Sequence, residues 1–516
     1  MTSALHKKLC AAHQAVALIK DGDTVVSGGF VGAAHPESLT AAIEKRFLST
    51  KTPTNLTLVY GAGQGDGKHR GLNHLAHEGL VKRVIGGHWG LVPGMGRLAL
   101  ENKIEAYNFP QGVICQLLRD IAAHRPGCIT HVGLGTFVDP IHDGGRLNSI
   151  TTESLVERIE LLGKTWLFYK AFPIHVGLIR ATMADRDGNL SMSEEAVIGE
   201  VLQIAQAVRN SGGVVLAQVK RTSTERTPPH QVAVPGILVD RIVIAENDEH
   251  DQTFAEQMNV AYCSVHGSDA AIEVSNGRLP MNVRRIIAAR ACHELQAGDI
   301  ANLGIGMPEG IAAVAAERGL LNDVTLTLES GPIGGIPAGG LSFGASAFPH
   351  AIIDQPAQFD FYDGGGLDFA ALGAAEIDQH GNVNVSKFGQ SLAGIGGFVN
   401  ISQNAKRVVF CGTMTSGSLD VKIADGKLRI LREGATRKFV SNVQHVSFSG
   451  EVAKTSNRDV LIVTERAVFR LTPEGLELIE VAPGIDIDSQ VLGVMDFRPI
   501  VNNVQPMKLE TGIVSR

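Results

Sequence analysis

The sequence predicts an α/β protein built from two duplicated open domains, each with a mostly parallel sheet. Apolar strand-like runs alternate with helical runs through both halves of the 516 residues, and this alternation favours parallel sheets flanked by helices. Glycine makes up 59 residues, a high share that indicates many tight turns. The third observation is that the chain repeats itself, because three segments of the first half have counterparts in the same order in the second.

The first two repeats are a strand–helix segment and the strand that follows it. Residues 22–46 and 298–318 each contain a glycine turn, an apolar strand, a glycine loop and a helix with proline near its start. The next strands also correspond, at 56–58 and 324–326. Two copies of one α/β unit explain this order better than a short-period solenoid does.

The third repeat is a hairpin, and the three together predict the domain boundaries. Residues 185–190 and 378–383 share the pattern Asp-x-x-Gly-Asn between apolar residues, which is typical of a tight turn. We expect an N-terminal domain over 1–267, a linker over 268–283 and a C-terminal domain over 284–516. Ligands of open α/β sheets bind at the carboxyl ends of strands, so the expected active site lies at the interface of the two copies.

Composition excludes several classes of function. The formal net charge of −7 argues against a nucleic-acid partner. No apolar run approaches the length of a membrane span, and the first residues lack the apolar segment of a signal peptide. Six scattered cysteines give neither a disulfide framework nor a C-x-x-C pair. We therefore expect a cytoplasmic protein with no membrane partner.

Familiar catalytic motifs are incomplete or misplaced. No full G-x-G-x-x-G is present, and residues 340–344 match the hydrolase motif G-x-S-x-G without the strand and helix that must flank its serine. His69, His74, His77 and His88 lie close in sequence but lack a recognised metal-ligand spacing. We interpret them as surface histidines or hydrogen-bonded structural histidines and expect no metal site.

Glu329 is the candidate nucleophile. The apolar strand 324–328 ends in this glutamate, followed by Ser-Gly-Pro-Ile-Gly-Gly, so the carboxylate would emerge among residues with little side-chain bulk. The equivalent position of the first copy is about Gly61, which leaves space instead. A solvated glutamate at a strand end explains the position alone equally well.

Residues 325–331, Thr-Leu-Thr-Leu-Glu-Ser-Gly, resemble the active-site signature of family I coenzyme A transferases, and of their acetate and propionate CoA-transferase branch in particular. The resemblance runs essentially from end to end, and its further segments are 27–30, 107–112, 359–366, 384–389, 394–398 and 463–469. Members of this type join an α and a β subunit in one chain, as the duplication suggests.

The resemblance implies a mechanism and a set of site residues. Glu329 would attack an acyl-CoA and carry CoA as a glutamyl thioester, with ping-pong kinetics and no cofactor besides CoA, which is a substrate. The Gln111 side chain and the backbone N–H of Gly396 would form the oxyanion hole. CoA would bind along the glycine loop, which consists of Gly394, Ile395, Gly396, Gly397 and Phe398.

Gly28, Gly29 and Phe30 suggest a small acyl pocket, hence short-chain acids such as acetate, propionate, butyrate or lactate. Many relatives have asparagine where this chain has Ser330, and we expect this loop to line the acyl site, so that the departure bears on which acid is the substrate. The expected partners are acyl-CoA, short-chain carboxylates and further copies of the chain in a homo-oligomer, a dimer or a tetramer. The alternatives are an acyl-CoA hydrolase on the same scaffold and a non-catalytic CoA-binding module.

Overall fold

The computed structural model describes residues 4–264 and 279–509, which form two compact units. The described part of the first unit is 4–264, 328–360 and 390–400, and the rest forms the second. The sequence assigns 328–360 and 390–400 to the C-terminal domain, whereas their packing is with the N-terminal half. The boundaries 1–267 and 284–516 stay a prediction, and 268–278 of the predicted linker lie outside the described residues.

A sheet of seven parallel strands forms the centre of the first unit. In spatial order it runs β7-β6-β5-β1-β2-β3-β4, where the strands are β1 Thr24–Ser27, β2 Leu56–Tyr60, β3 Val81–Gly86, β4 Glu105–Asn108, β5 Val176–Ala184, β6 Val214–Thr222 and β7 Arg241–Ile244. Val25 pairs with Leu58 on one side and with Val176 on the other. Strand β5 is buried almost throughout, as expected of a central strand covered on both faces.

Helices cover this sheet: α1 Glu37–Thr50, α2 Pro93–Leu100, α3 Gln111–Ala122, α4 Val201–Asn210 and the short Ala4–Lys8 and Ala12–Val16. Helix α4 buries Val201, Ile204 and Val208, which lie on one face at helical spacing. It packs closely because Gly177 of β5 has no side chain, and a Cβ there would lie 2.9 Å from Ile204 Cγ2. No helix in the described ranges is long and apolar enough to cross a membrane.

Besides the seven parallel strands, the first unit contains shorter ones, among them Leu190–Ser191, which pairs antiparallel with β5. Three of them form an antiparallel sheet, Gly127–Thr130, Val156–Leu161 and Lys164–Lys170. The remaining short strands are Leu190–Ser191, Pro332–Ile333, Ile336–Pro337, Ser346–Ala347, Ala351–Ile352 and Ser391–Leu392.

The second unit has a sheet of eight strands in the order β9-β8-β10-β11-β12-β13-β14-β15. They are β8 Ile300–Leu303, β9 Thr325–Thr327, β10 Phe369–Gly373, β11 Arg407–Cys411, β12 Asp459–Val463, β13 Ala467–Thr472, β14 Gly475–Val481 and β15 Ile500–Pro506. The five strands β8 to β12 run parallel, and β13 and β14 continue the sheet as an antiparallel meander.

The remaining helices are α5 Val283–Ala291, α6 Gly310–Glu317, α7 Gln355–Asp363, α8 Phe398–Asn404, α9 Gly450–Thr455 and the short Ile487–Gln490. The first residues of α7 and α8 belong to the first unit. The smaller strands of the second unit are Glu376–Asp378, Val383–Asn384, Lys387–Phe388, Thr415–Ser416, Asp420–Ala424, Lys427–Arg432, Thr436–Arg437 and Phe439–Val440.

The duplication predicted from the sequence is confirmed in strand order and in hydrogen bonds. β1 lies between β2 and β5 in the first unit, as β8 lies between β9 and β10 in the second. In the paired hairpins, Asp185 Oδ1 accepts the Asn189 N–H at 3.0 Å and Asp378 Oδ1 accepts the Asn382 N–H at 3.1 Å. Each asparagine amide also donates 3.0 Å to the other oxygen of its aspartate. The sequence pattern therefore encodes the same turn twice.

Candidate active site

Glu329 lies in a tight turn two residues after β9 and belongs to the first unit. The Gly331 N–H donates to the Leu328 carbonyl at 3.0 Å, and the Leu328 N–H donates to the Pro332 carbonyl at 3.0 Å. Gly331 has φ +121°, and a Cβ there would lie 2.0 Å from the Ile353 carbonyl oxygen. The half-buried Glu329 side chain is thus presented by a turn that only glycine can complete.

The glycine loop approaches this carboxyl directly. A Cβ on Gly397 would lie 3.5 Å from Glu329 Cδ and 3.2 Å from the Phe359 ring. The Gly396 N–H, which the sequence analysis assigns to the oxyanion hole, donates to the Gly87 carbonyl at 2.8 Å. The Gly397 N–H has no hydrogen-bond partner among the described residues. The loop therefore offers its unpaired backbone donor one residue later than expected.

Gln111 brings a second unpaired donor to the glycine loop, beside Gly396. It is the first residue of α3 and is 1% exposed, and its own N–H donates to the Gly396 carbonyl at 2.9 Å. Its Nε2 is buried without a partner in the described part of the chain. Gly61, the position aligned with Glu329 in the first copy, lies next to this side chain and to Gln355. A Cβ there would lie 3.5 Å from Gln111 Cγ, an ordinary contact distance, and 3.2 Å from Gln355 Nε2.

Of the residues predicted to form the acyl pocket, Phe30 is the one joined to Glu329 through an apolar cluster. Phe30 is 2% exposed, packs against Phe343 with ring centroids 5.9 Å apart, and shares its cluster with Leu328. Gly28 instead faces α4, because a Cβ there would lie 3.2 Å from Ile204 Cδ1. Gly29 has φ +129° and shapes the turn that brings Phe30 inward.

Comparisons with known proteins concern the whole chain. The family model for coenzyme A transferase matches residues 10–245. Acetate CoA-transferase YdiF of Escherichia coli O157:H7 is 44% identical over 494 residues, 95% of this chain and 92% of that protein. The chain belongs to the coenzyme A transferase family.

Two further relatives extend the comparison of this CoA-transferase. Caffeate CoA-transferase of Acetobacterium woodii is 42% identical over 516 residues, covering 98% of this chain and 97% of its own length. The crystal structure of YdiF from E. coli O157:H7 in a thioester complex with CoA matches with a TM-score of 0.91 and 41% identity, over 97% of this chain and 95% of that one. The α/β fold with mostly parallel sheets is therefore confirmed.

Beneath Gln111, the transferase contains a buried polar layer that sequence reasoning missed. Gln355 Nε2 donates to Cys115 Sγ at 3.0 Å, and Cys115 lies one turn after Gln111 on α3. Glu200, at the start of α4, is 1% exposed, and its Oε2 has no partner among the described residues. Burial, with the nearby Asp354 charge, raises the pKa of Glu200 to about 8. A periodicity argument cannot find such a layer, because its members come from three separate helices.

His88 forms the other side of the glycine loop. A Cβ on Gly396 would lie 3.6 Å from His88 Cβ, and one on Gly63 would lie 2.9 Å from His88 Nδ1. Nδ1 is buried without a partner in the described ranges. Complete burial lowers the pKa of His88 to about 4, so the imidazole is neutral in the folded enzyme at neutral pH.

This buried histidine predicts a pH-dependent stability. In the unfolded chain the pKa of a histidine is about 6.5, whereas burial lowers the pKa of His88 in the folded enzyme to about 4. Between these two values only the unfolded state is protonated at this histidine. The unfolded state therefore binds more protons in this window, and acidification from pH 7 to pH 5 should lower the free energy of unfolding by about 2 kcal/mol through His88 alone. Urea unfolding at both pH values should show this loss reduced in His88→Gln. An equal loss in variant and wild type would contradict the assignment.

The other sequence motifs have structural roles. Ser342, in the G-x-S-x-G match, follows no strand, and its hydroxyl donates to Glu256 at 2.6 Å. His74 contacts Glu37 at 3.0 Å and Glu44 at 2.5 Å, and His77 contacts Glu44 at 2.6 Å. The interpretation of these two histidines as hydrogen-bonded side chains is confirmed. Ser330 donates to the Gly344 carbonyl at 2.6 Å, so this departure from the family pattern fixes a neighbouring loop.

Proposed function

We propose that this CoA-transferase moves CoA between a short-chain acyl-CoA and a carboxylate acceptor through a covalent thioester on Glu329. The observation that carries the proposal is that the Glu329 carboxyl lies against Gly397 of the glycine loop, while the Gln111 side chain lies against the neighbouring Gly396. Gly397, whose N–H is free of described partners, approaches Glu329 Cδ, and Gln111 adds its unpaired Nε2. A carboxylate with oxyanion donors beside it suits acyl transfer.

The reaction proceeds in two attacks and their reversal. A Glu329 oxygen attacks the thioester carbonyl and expels the CoA thiolate, which leaves a mixed anhydride. The thiolate then attacks the glutamyl carbonyl, forms the enzyme–CoA thioester and releases the first acid. An incoming carboxylate attacks this thioester and repeats both steps in reverse. Electrons and charge balance with no redox partner, because each step exchanges one acyl bond for another.

Each attack places a negative charge on a tetrahedral oxygen, and the two donors are proposed to stabilise it. We assign the backbone donor to Gly397 in place of Gly396, since the Gly396 N–H is already bonded to Gly87. A donor that is unpaired in the resting enzyme needs no rearrangement when the oxyanion forms. Removal of one such donor typically raises the activation barrier by about 3 kcal/mol.

The acyl group is proposed to be short, of the acetate and propionate type. Phe30 and Phe343 pack in the apolar cluster that contains Leu328, the residue before Glu329, and we take these two rings to border the acyl group. Of the two relatives named for their acids, one is an acetate and the other a caffeate CoA-transferase, so chain length must be tested directly.

The test is the acceptor dependence of CoA transfer from acetyl-CoA. Propionate, butyrate and lactate should each be converted to their CoA esters, whereas caffeate should react at least about tenfold more slowly because it exceeds the pocket. Mass-resolved detection of each acyl-CoA measures this. Equal rates with caffeate would contradict the short-chain assignment, and CoA release independent of any acid would indicate a hydrolase.

Three further expectations belong to the proposal. The reaction requires no metal, nucleotide or redox cofactor, since the glutamate supplies the nucleophile. We also propose a cytoplasmic location and assembly as a homo-oligomer, a dimer or a tetramer. Light scattering of the purified chain measures the assembly.

A further inference from the structure

The antiparallel sheet of the first unit, here called the small sheet, ends in an edge strand. In spatial order it consists of Gly127–Thr130, Lys164–Lys170 and Val156–Leu161. The last of these strands pairs on one side with the central strand, and no residue in 4–264 or 279–509 pairs with its other side. An open sheet edge presents backbone groups to which a further strand can be added. None of its residues has a part in the chemistry proposed above.

The register shows which backbone groups of the edge strand point outward. The Lys170 N–H donates to the Leu155 carbonyl at 3.0 Å, so the residues that bond to the central strand are every second one, at 157, 159 and 161. Arg158 and Glu160 alternate with them, and their N–H and C=O groups therefore face away from the small sheet. Neither backbone has a hydrogen-bond partner within the described part of the chain. Two donors and two acceptors are thus available at this edge.

The outer face of the small sheet is apolar. The pairing places five apolar side chains on this face, those of Ile129, Ile159, Leu161, Trp166 and Phe168. They are half-buried or exposed, whereas the side chains that alternate with them on the central strand, Leu167 and Tyr169, are buried. A contiguous group of exposed apolar side chains on neighbouring strands indicates a surface that another molecule covers.

The hairpin beside this edge ends in an exposed leucine. Leu162 and Gly163 form the two-residue turn, with φ +54° and +72°, and the leucine is 94% exposed. Turns with positive φ at both positions favour Asn-Gly or Gly-Gly. A leucine at the first position has an unfavourable backbone conformation and exposes apolar surface, and burial against a partner would compensate for both.

The charges of the edge strand are complementary to themselves about Ile159. If a second copy pairs antiparallel through a two-fold axis at Ile159, Arg158 of each copy lies opposite Glu160 of the other, and their outward backbone groups bond to each other. An axis at Arg158 or at Glu160 places two like charges opposite each other instead, which is unfavourable. Within its own copy the Arg158 guanidinium lies 3.5 Å from Asp139 and is 37% exposed, so it remains accessible to a partner. The charge pattern therefore favours one register.

We propose that Val156–Leu161 pairs with the same strand of a second copy of this chain, antiparallel about a two-fold axis at Ile159, and joins the two small sheets into one sheet of six strands. The inference rests on the homo-oligomeric assembly proposed above and names a surface for it. The apolar outer faces of the two copies become continuous, and Leu162 of one copy lies opposite Val156 of the other. Such a contact uses the same strand from both copies, so it covers both edges and closes after two.

Disulfide trapping tests the register. The two Ile159 residues form a non-hydrogen-bonded antiparallel pair with Cα atoms about 4.5 Å apart, so Ile159→Cys should link to itself across the axis on mild oxidation. A non-reducing gel shows the covalent dimer. Leu161→Cys, on the same face, is the matched control. The axis separates its two copies by four residues, about 13 Å along the strand, so it should remain unlinked.

Charge exchange is an independent measurement. Arg158→Glu and Glu160→Arg should each raise the dissociation constant of the contact at least about tenfold in sedimentation equilibrium, because like charges then lie opposite each other, and the double variant should restore it.

The outcomes separate this surface from the assembly itself. Equal linking of both cysteine variants, an unlinked Ile159→Cys in a chain that light scattering shows to be oligomeric, or a double variant as weak as the single ones overturns the surface and leaves the homo-oligomer standing. A wild type that is monomeric at all concentrations overturns both. The CoA adduct on Glu329 is measured separately and does not depend on any of these results.

Discussion

Replacing Glu329 by glutamine should lower the rate of CoA transfer by roughly 10⁴-fold or more, because an amide cannot attack the thioester. The measurement is kcat/KM for acetyl-CoA with propionate as acceptor. Folding should be nearly unaffected, since the two side chains have the same shape and Glu329 is only half buried. The loss should therefore appear without a change in the thermal unfolding temperature.

Two variants make this result specific. Glu225→Gln, at an exposed position, should retain wild-type activity. Glu329→Asp retains the charge but withdraws it by one methylene, away from Gly397, so it should lose most of the activity as well. A Glu329→Gln enzyme that retained even a tenth of the wild-type rate would place the nucleophile elsewhere.

Replacing Gln111 by leucine should lower kcat by about 10²- to 10³-fold while the KM for acetyl-CoA changes little. The Gln111 Nε2 has no partner among the described residues, so the resting enzyme loses no hydrogen bond when it is removed. The stabilisation lost is that of the oxyanion, which exists only after attack. Steady-state kinetics in both transfer directions measure the effect.

Gln116→Leu, on the same helix but part-exposed and bonded to Asp360, is the matched control and should remain within about twofold of wild type. A rise in KM with unchanged kcat in Gln111→Leu would show that Gln111 stabilises the bound substrate and the transition state equally. That outcome would remove it from the oxyanion hole.

Much of the fold could be predicted because its signals are local. The Asp-x-x-Gly-Asn turns at Asp185 and Asp378 require a positive φ at their glycines, and both glycines have it, at +81° and +78°. The shared strand order follows from alternating apolar runs. The membership of 328–360 in the first unit could not be predicted, because it depends on contacts such as Gln355 against Gly61 between residues far apart in sequence.

The candidate site was likewise predictable only in part. The signature at 325–331 identifies Glu329 as the candidate nucleophile, and alignment of the two copies places Gly61 at the equivalent position. Sequence could not show which of the two glycines has an unpaired N–H, since that depends on the Gly87 carbonyl, which accepts the N–H of Gly396 and not that of Gly397. The burial of Glu200 could not be predicted either, because a glutamate at the start of a helix is expected to be solvated, whereas this one is buried.

Covalent attachment of CoA to Glu329 can be observed by intact-protein mass spectrometry after brief mixing with acetyl-CoA, beside the Glu329→Gln variant. We expect a mass increase equal to one CoA on the wild type alone, which disappears when a carboxylate is added. An unmodified wild type that still exchanges CoA between acids, or the same adduct on the variant, would contradict the claim.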